Sequence, residues 1–262
     1  MATVTACYDA TPVPRTVADI LPANRTEREA RTKGPRARAR QLDASLERST
    51  ATMVSDLFDA AERRDPDHRR RWIVLVDGAN HQLDCIKKEA TARGVTVDII
   101  VDIVHVIEYV WRCADDLHPD KSARTAWVAD AIHRVLEGKS ARVVADIRAV
   151  LRAGGHGKGT KPAAERAVDY LTAKQPYLHY HRALALGWPI ATGVIEGACR
   201  HIVKDRLDLT GARWGLDGAE AILLLRAVIN NGDFENYWRF HTHRDYQRTH
   251  AARYRDQLTL TV

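Results

Sequence analysis

Trp72 to Val101 reads WIVLVDGANHQLDCIKKEATARGVTVDIIV, and its periodicity changes twice along the way. Trp72–Val76 is an unbroken apolar run of strand length, the pattern of a strand covered on both faces in a parallel or mixed sheet. Asp77-Gly78 follows at once. A carboxylate at the carboxyl end of such a strand, released by a glycine, sits where open α/β sheets place ligand chemistry. Residues 79–92 suit a helix, Gly94 stops it, and Val95–Val101 supply a second apolar strand. Strand, helix, strand predicts an α/β fold.

Downstream, 103–185 shows only helical period, with helices expected at about 103–115, 121–136, 140–152 and 162–173 and the glycine-rich loop GGHGKGTKP before the last of them. Trp111, Trp127, Val128, Ile132, Val135, Ile147, Val150 and Leu151 fall on their packing faces. An all-helical insertion is the economical reading. Beyond it, GARW at 211–214 reads as a turn, 217–230 as a Leu-rich buried helix and 233–256 as an aromatic and basic helix. That last helix either packs one face on its domain or stacks on nucleic acid with its interleaved aromatic and basic side chains.

Upstream, residues 2–8 alternate as a strand, and Asp9, Pro12 and Pro14 break it. Residues 15–40 read as a polar loop ending in KGPRARAR, either a solvated segment or one that sets Arg36, Arg38 and Arg40 against phosphates. Residues 42–64 show helical period, with Leu46, Met53, Val54, Leu57, Phe58 and Ala61 on one side. The domains expected are therefore 1–102, 103–186 and 187–262.

The 262 residues are 45% hydrophobic, enough to build a real core. Lys plus Arg outnumber Asp plus Glu 40 to 34, a formal charge of +6 that favours an anionic partner such as nucleic acid. The four cysteines lie far apart with no CxxC pair, so the sequence supports neither a disulfide framework nor a zinc ribbon. A reducing cytoplasm is the expected setting. No apolar run approaches the roughly 20 residues that cross a bilayer, so no membrane association is expected.

Gly187 to Arg206, GWPIATGVIEGACRHIVKDR, carries the second carboxylate of interest. On a helix, Glu196, Arg200 and Lys204 recur at four-residue steps on one flank, while Ile195, Cys199 and Ile202 share another. Carboxylates converging from a strand end and a helix are what a pair of Mg²⁺ ions needs, since hard cations take oxygen ligands. Asp77 capping its own helix and Glu196 pairing with Arg200 is the plainer alternative. Asp102 and His105 form a D-x-x-H step at the second strand's exit, where one helical turn would set carboxylate beside imidazole. There is no P-loop, GxGxxG or nucleophile elbow.

The order LVDGANHQLDCI, VDIVHVIEYVW, helical insert, GWPIATGVIEGACRHIVKDRL and GARWGLDGAEAILLLRAVINNGDFENYWRFH resembles the DDE transposases of bacterial insertion sequences, most closely the Kra type. The motifs D-G-A, H-V-x-E-Y-x-W and G-x-I-E-G-x-C-R-x-x-x-K-x-R carry the resemblance, which runs over nearly the whole chain. It implies a ribonuclease-H-like mixed sheet interrupted by an all-helical insertion, with C-terminal helices. It implies three acids that bind two Mg²⁺ or Mn²⁺ ions and drive DNA strand cleavage and transfer. By motif, Asp77 is the second acid and Glu196 the third, with Asp102, His105, Arg200 and Lys204 in support. Arg36, Arg38, Arg40, Arg206, Arg213 and Trp214 are the expected DNA contacts. Transposon-end DNA is the expected partner, together with a second copy of the chain or an intact transposase.

In that family the first acid lies in a D-G motif on an earlier strand, upstream of a stretch similar to MATVTACYDATPVPRT. The sequence begins inside the later stretch, which implies a truncated copy with two of three acids and little or no activity alone. Asp9 is the one acid near the start that could stand in. A second enzyme class starts from WIVLVDGANH, which also resembles the opening strand of NYN or PIN-type ribonucleases, where an Asp and a nearby Asn hold a metal. A non-catalytic DNA-binding remnant is the third reading.

Overall fold

The computed structural model describes residues 2–154 and 161–251. Along the chain run β1 (Thr3–Ala10), α1 (Val17–Ile20), α2 (Arg25–Ala30), β2 (Ala37–Ser45), α3 (Thr50–Arg64), β3 (Trp72–Val76), α4 (Asn80–Arg93), β4 (Val97–Val101), α5 (Ile103–Leu117), α6 (Lys121–Leu136), α7 (Ser140–Ala153), α8 (Pro162–Lys174), α9 (Tyr180–Ala185), α10 (Gly193–Ala198), a π-helical stretch (Cys199–Lys204), α11 (Asp205–Leu207), α12 (Leu216–Asn231) and α13 (Phe234–Thr249). The protein is thus mixed α/β and mostly helical. Two compact units divide it, one of 9–38 with 50–193 and the other of 1–8, 39–49 and 194–262.

In the larger unit β3 and β4 pair in parallel, with Trp72 opposite Val97 and Val76 opposite Val101. Parallel partners need a crossover, and α4 provides it. Gly94 ends α4 at φ 66°, a left-handed position that glycine takes without a side-chain clash, and its N–H bonds back to the Ala90 and Thr91 carbonyls. Trp72–Leu75 are only half-buried, because β4 is their one strand neighbour among the described residues. The helices from α5 to α9 do not stand apart from this pair. Val76, Val101, Val106, Val110, Ile132, Ile147, Leu171 and Tyr180 belong to one continuous core, so 103–193 lies in the same unit as 50–102. The α5 terminus is tied to the start of α8 by Asp116, whose carboxylate accepts from the Ala163 and Ala164 amides at 2.7 and 3.0 Å. Those amides are orphan donors of a first helical turn, so the bond also caps α8.

The smaller unit has its own core of Leu42, Ala44, Ala198, Ile202, Leu223 and Ala227, on which Val4, Ala6 and Leu207 pack. Here β1 and β2 form a two-stranded sheet. Two side chains of α12 hold β2 by its backbone. Asn231 both accepts from the Leu42 N–H at 2.7 Å and donates to the Leu42 carbonyl at 2.9 Å, as a neighbouring strand would. Buried Glu220 accepts from the Ser45 hydroxyl and the Leu46 N–H, both at 2.6 Å.

Four expectations change. Residues 15–40 are not one loop, since α1 and α2 interrupt them and β2 begins at Ala37, carrying Arg38 and Arg40 exposed. Residues 42–49 are strand and bend, and the helix starts only at Thr50, because Leu42 and Ala44 face the core on a strand period. The helix α12 buries Leu223 but leaves Leu216, Leu224 and Ile229 exposed. The helix α13 buries none of its residues, so it does not pack a face on its unit. Residues 155–160 of the glycine-rich loop and 252–256 of the expected last helix lie outside the described residues. Among the described residues no helix is long and apolar enough to cross a membrane.

Replacing Glu220 by Ala removes the acceptor for the Leu46 amide, and hydrogen exchange of that amide is expected to accelerate by roughly tenfold or more. Unchanged exchange by NMR would show that Glu220 does not hold β2.

Candidate functional site

The Asp77 turn is built by its neighbours. β3 ends at Val76, Gly78 turns the chain at φ 91°, and α4 starts at Asn80. A side chain at position 78 would meet Tyr170 Oη at 3.2 Å and Val101 Cγ2 at 3.4 Å, so both the dihedral and the space require glycine. Asp77 itself is exposed. Its Oδ1 accepts from the Ala79 N–H at 3.1 Å, a local turn that stops short of the first amides of α4, so no side chain caps that helix, and it has no ion-pair partner among the described residues. Its second carboxylate oxygen is free for a ligand.

Asp102 does something other than orient a histidine. It is 1% exposed and caps α5 by accepting from the Val104 N–H at 2.7 Å. Its other oxygen accepts from the Thr192 N–H at 2.7 Å and from the Thr192 hydroxyl. Capping geometry turns the carboxylate onto the helix's own first amides, so no hydrogen bond joins it to half-buried His105. The D-x-x-H spacing is present, but the two groups do not act as a pair.

Glu196 lies exposed on α10. No ion pair joins it to Arg200 or Lys204, because the helix passes into π geometry at Cys199 and the four-residue register no longer stacks these positions. The widened turn frees the His201 carbonyl, and Arg226 of α12 donates to it through Nε at 2.8 Å and through Nη2. Ile202 anchors the same stretch, fully buried. Burial raises the Cys199 thiol's pKa, with Lys204 opposing and Glu196 adding to the rise. Arg200, Lys204 and Glu196 are exposed, and none has an ion-pair partner among the described residues.

The arginines expected at DNA are exposed: Arg36, Arg38 and Arg40 before and on β2, and Arg206 and Arg213 after the π-helical stretch. Trp214 is 42% exposed. Asp9 is different. Its two oxygens face Arg70 at 2.9 Å and Arg64 at 3.6 Å, so it is neutralised in place.

Two residues beside Asp77 escaped the reading of the sequence. Tyr170 Oη donates to the Asp77 carbonyl at 3.2 Å, and the buried Lys174 ammonium donates to Asn80 Oδ1. The signal was the four-residue spacing in DYLTAK on α8, which puts both on one face. Among the described residues no group of three or more His, Cys, Asp or Glu side chains is placed to hold a metal ion. The donor chemistry of Asp77 and Glu196 nevertheless suits a hard divalent cation, since each is an exposed carboxylate with a free oxygen. Compared with protein-family models, curated proteins and solved structures, the chain matches none.

Asp102→Ala removes a helix cap and leaves the Thr192 donors without their acceptor, and is expected to cost about 2–4 kcal/mol in urea unfolding. Asp102→Asn keeps an acceptor and should cost less. A loss under about 0.5 kcal/mol for the alanine variant would contradict the anchoring role assigned to this carboxylate.

Proposed function

We propose that the chain is a DDE-type transposase of a bacterial insertion sequence, with a ribonuclease-H-like core, acting on transposon-end DNA in the cytoplasm. One observation carries the reading. The two acids singled out by motif, Asp77 and Glu196, are both exposed and free of ion-pair partners among the described residues, although Arg200 and Lys204 follow Glu196 closely in sequence. A carboxylate kept for structure is normally paired or hydrogen-bonded, as Asp9, Asp65 and Asp116 are. Mg²⁺ or Mn²⁺, when bound, supplies Lewis-acid activation of a phosphodiester and of the attacking oxygen. The residues' own part is to offer oxygen ligands from Asp77 and Glu196 and cationic contacts to phosphates from Arg36, Arg38, Arg40, Arg206 and Arg213. Trp214 adds an exposed ring on which a base can stack.

The first acid of the three-acid set has no assigned residue in this chain. Asp9 does not serve, because Arg64 and Arg70 hold it. The NYN or PIN alternative needs an Asn oxygen for its metal, and the Asn80 Oδ1 is already taken by Lys174. Non-catalytic DNA binding, with a second copy or an intact transposase as partner, is the reading that the exposed arginines favour if cleavage is absent.

Purified chain, element-end DNA duplex and Mg²⁺ are expected to give salt-sensitive binding with cleavage at least about 100-fold below that of a three-acid enzyme. Asp9→Ala should change neither. Robust Mg²⁺-dependent cleavage that Asp77→Ala abolishes would overturn the expected inactivity while supporting the acid assignment. Cleavage of RNA with DNA untouched would overturn the transposase reading.

A further inference from the structure

We infer that Tyr170 and Lys174 of α8 are positioning residues for the Asp77 turn, setting the carboxylate where a divalent cation binds; this rests on the reading of Asp77 as a cation ligand. The two side chains grip the turn from either end of Gly78. Tyr170 Oη donates to the carbonyl of Asp77 at 3.2 Å, and the Lys174 ammonium donates to Oδ1 of Asn80, the first residue of α4. Between them the backbone passes so close that a Cβ at Gly78 would lie 3.2 Å from Tyr170 Oη and 3.6 Å from Lys174 Cε. The Asp77 carbonyl before Gly78 and the Asn80 side chain after it are therefore both referenced to one helix.

Two features go beyond what packing requires. The Tyr170 ring is stacked on Tyr109 at 3.9 Å between centroids and 8° between planes, which fixes the direction of its hydroxyl. Lys174 is 5% exposed, and it donates to a neutral amide; no carboxylate pairs with it among the described residues. Burying an ammonium against a neutral group is costly, and a Met of similar length would fill the same volume without that cost. The charge is retained where it fixes the start of α4 and hence the Asp77 turn. Outer contacts of this kind orient metal ligands elsewhere, and their removal lowers metal affinity about 10–100-fold.

The test uses the full chain with Fe²⁺ in place of Mg²⁺. Ascorbate and peroxide then cut the backbone beside the bound ion, and added Mg²⁺ competes the cutting away. Wild type should be cut near residue 77, and Asp77→Ala should lose that cut. Tyr170→Phe keeps the ring stack and removes one hydroxyl; Lys174→Met keeps length and removes the charge. In each, the Mg²⁺ concentration that halves the cutting should rise about tenfold, measured well below the melting midpoint in protein that circular dichroism shows to be folded. A lowered melting midpoint with an unchanged Mg²⁺ midpoint means that α8 only packs, and overturns the inference. Should Lys174→Met fail to fold, Tyr170→Phe decides alone. No cut near residue 77 in wild type, or a cut that survives Asp77→Ala, overturns the cation reading of Asp77 and the positioning role with it.

Discussion

The buried carboxylate of Asp102 joins three segments that are far apart in sequence. Its backbone N–H extends the β3–β4 pairing to the Val76 carbonyl at 2.8 Å, its Oδ1 caps α5, and its Oδ2 holds Thr192. The Ile103 N–H to Ile190 carbonyl bond at 3.0 Å repeats the tie one residue on. A fully buried carboxylate is tolerable only when every oxygen is satisfied, and here neutral donors do it without a counter-charge. The carboxyl end of the two strands, where Asp77 emerges, therefore depends on a joint that is structural and has no free oxygen to offer a ligand.

That accounting separates the acids of the larger unit by use. Asp65 accepts from the Arg69 and Arg70 amides and the Trp72 indole, closing the connection between α3 and β3. Asp98 lies between Arg71 and Arg182, whose guanidinium groups also cover the Trp188 ring from 5.4 and 5.3 Å. Asp9 is held by two arginines and Asp116 caps a helix. Asp77 has only the Ala79 amide, and it stays at the surface. In the smaller unit the same contrast holds between Glu220, buried and fully engaged, and Glu196, exposed and without an ion pair among the described residues.

The strand–helix–strand core was legible because the hydrophobic period switches cleanly at Asp77 and again at Gly94, and a glycine at each switch meets a left-handed backbone position. The four helices between 103 and 174 were legible for the same reason: apolar residues recur at helical spacing and charged positions fall outside. β2 was hidden. Arg38–Gln41 are all exposed and only Leu42, Ala44 and Ser45 are buried, so no alternation marks its first half, and what fixes it is Asn231 and Glu220 of a distant helix, a pairing that local pattern does not encode. The π-helical stretch was equally hidden, since spacing assumes an α period, and it undid the expected Glu196–Arg200 alignment. Nothing in the local pattern marks Lys174, because the amide that accepts from it comes from another element. Asp77 and Glu196 were singled out by motif, while their lack of ion-pair partners among the described residues had to be seen in the fold.

The most direct test of the central claim is an anomalous difference map from crystals of the chain grown with Mn²⁺. The account predicts manganese density against the Asp77 and Glu196 carboxylates, with Asp102 and Asp9 keeping their protein partners. Density at neither acid, or manganese coordinated by Asp102 and His105 instead, would contradict it.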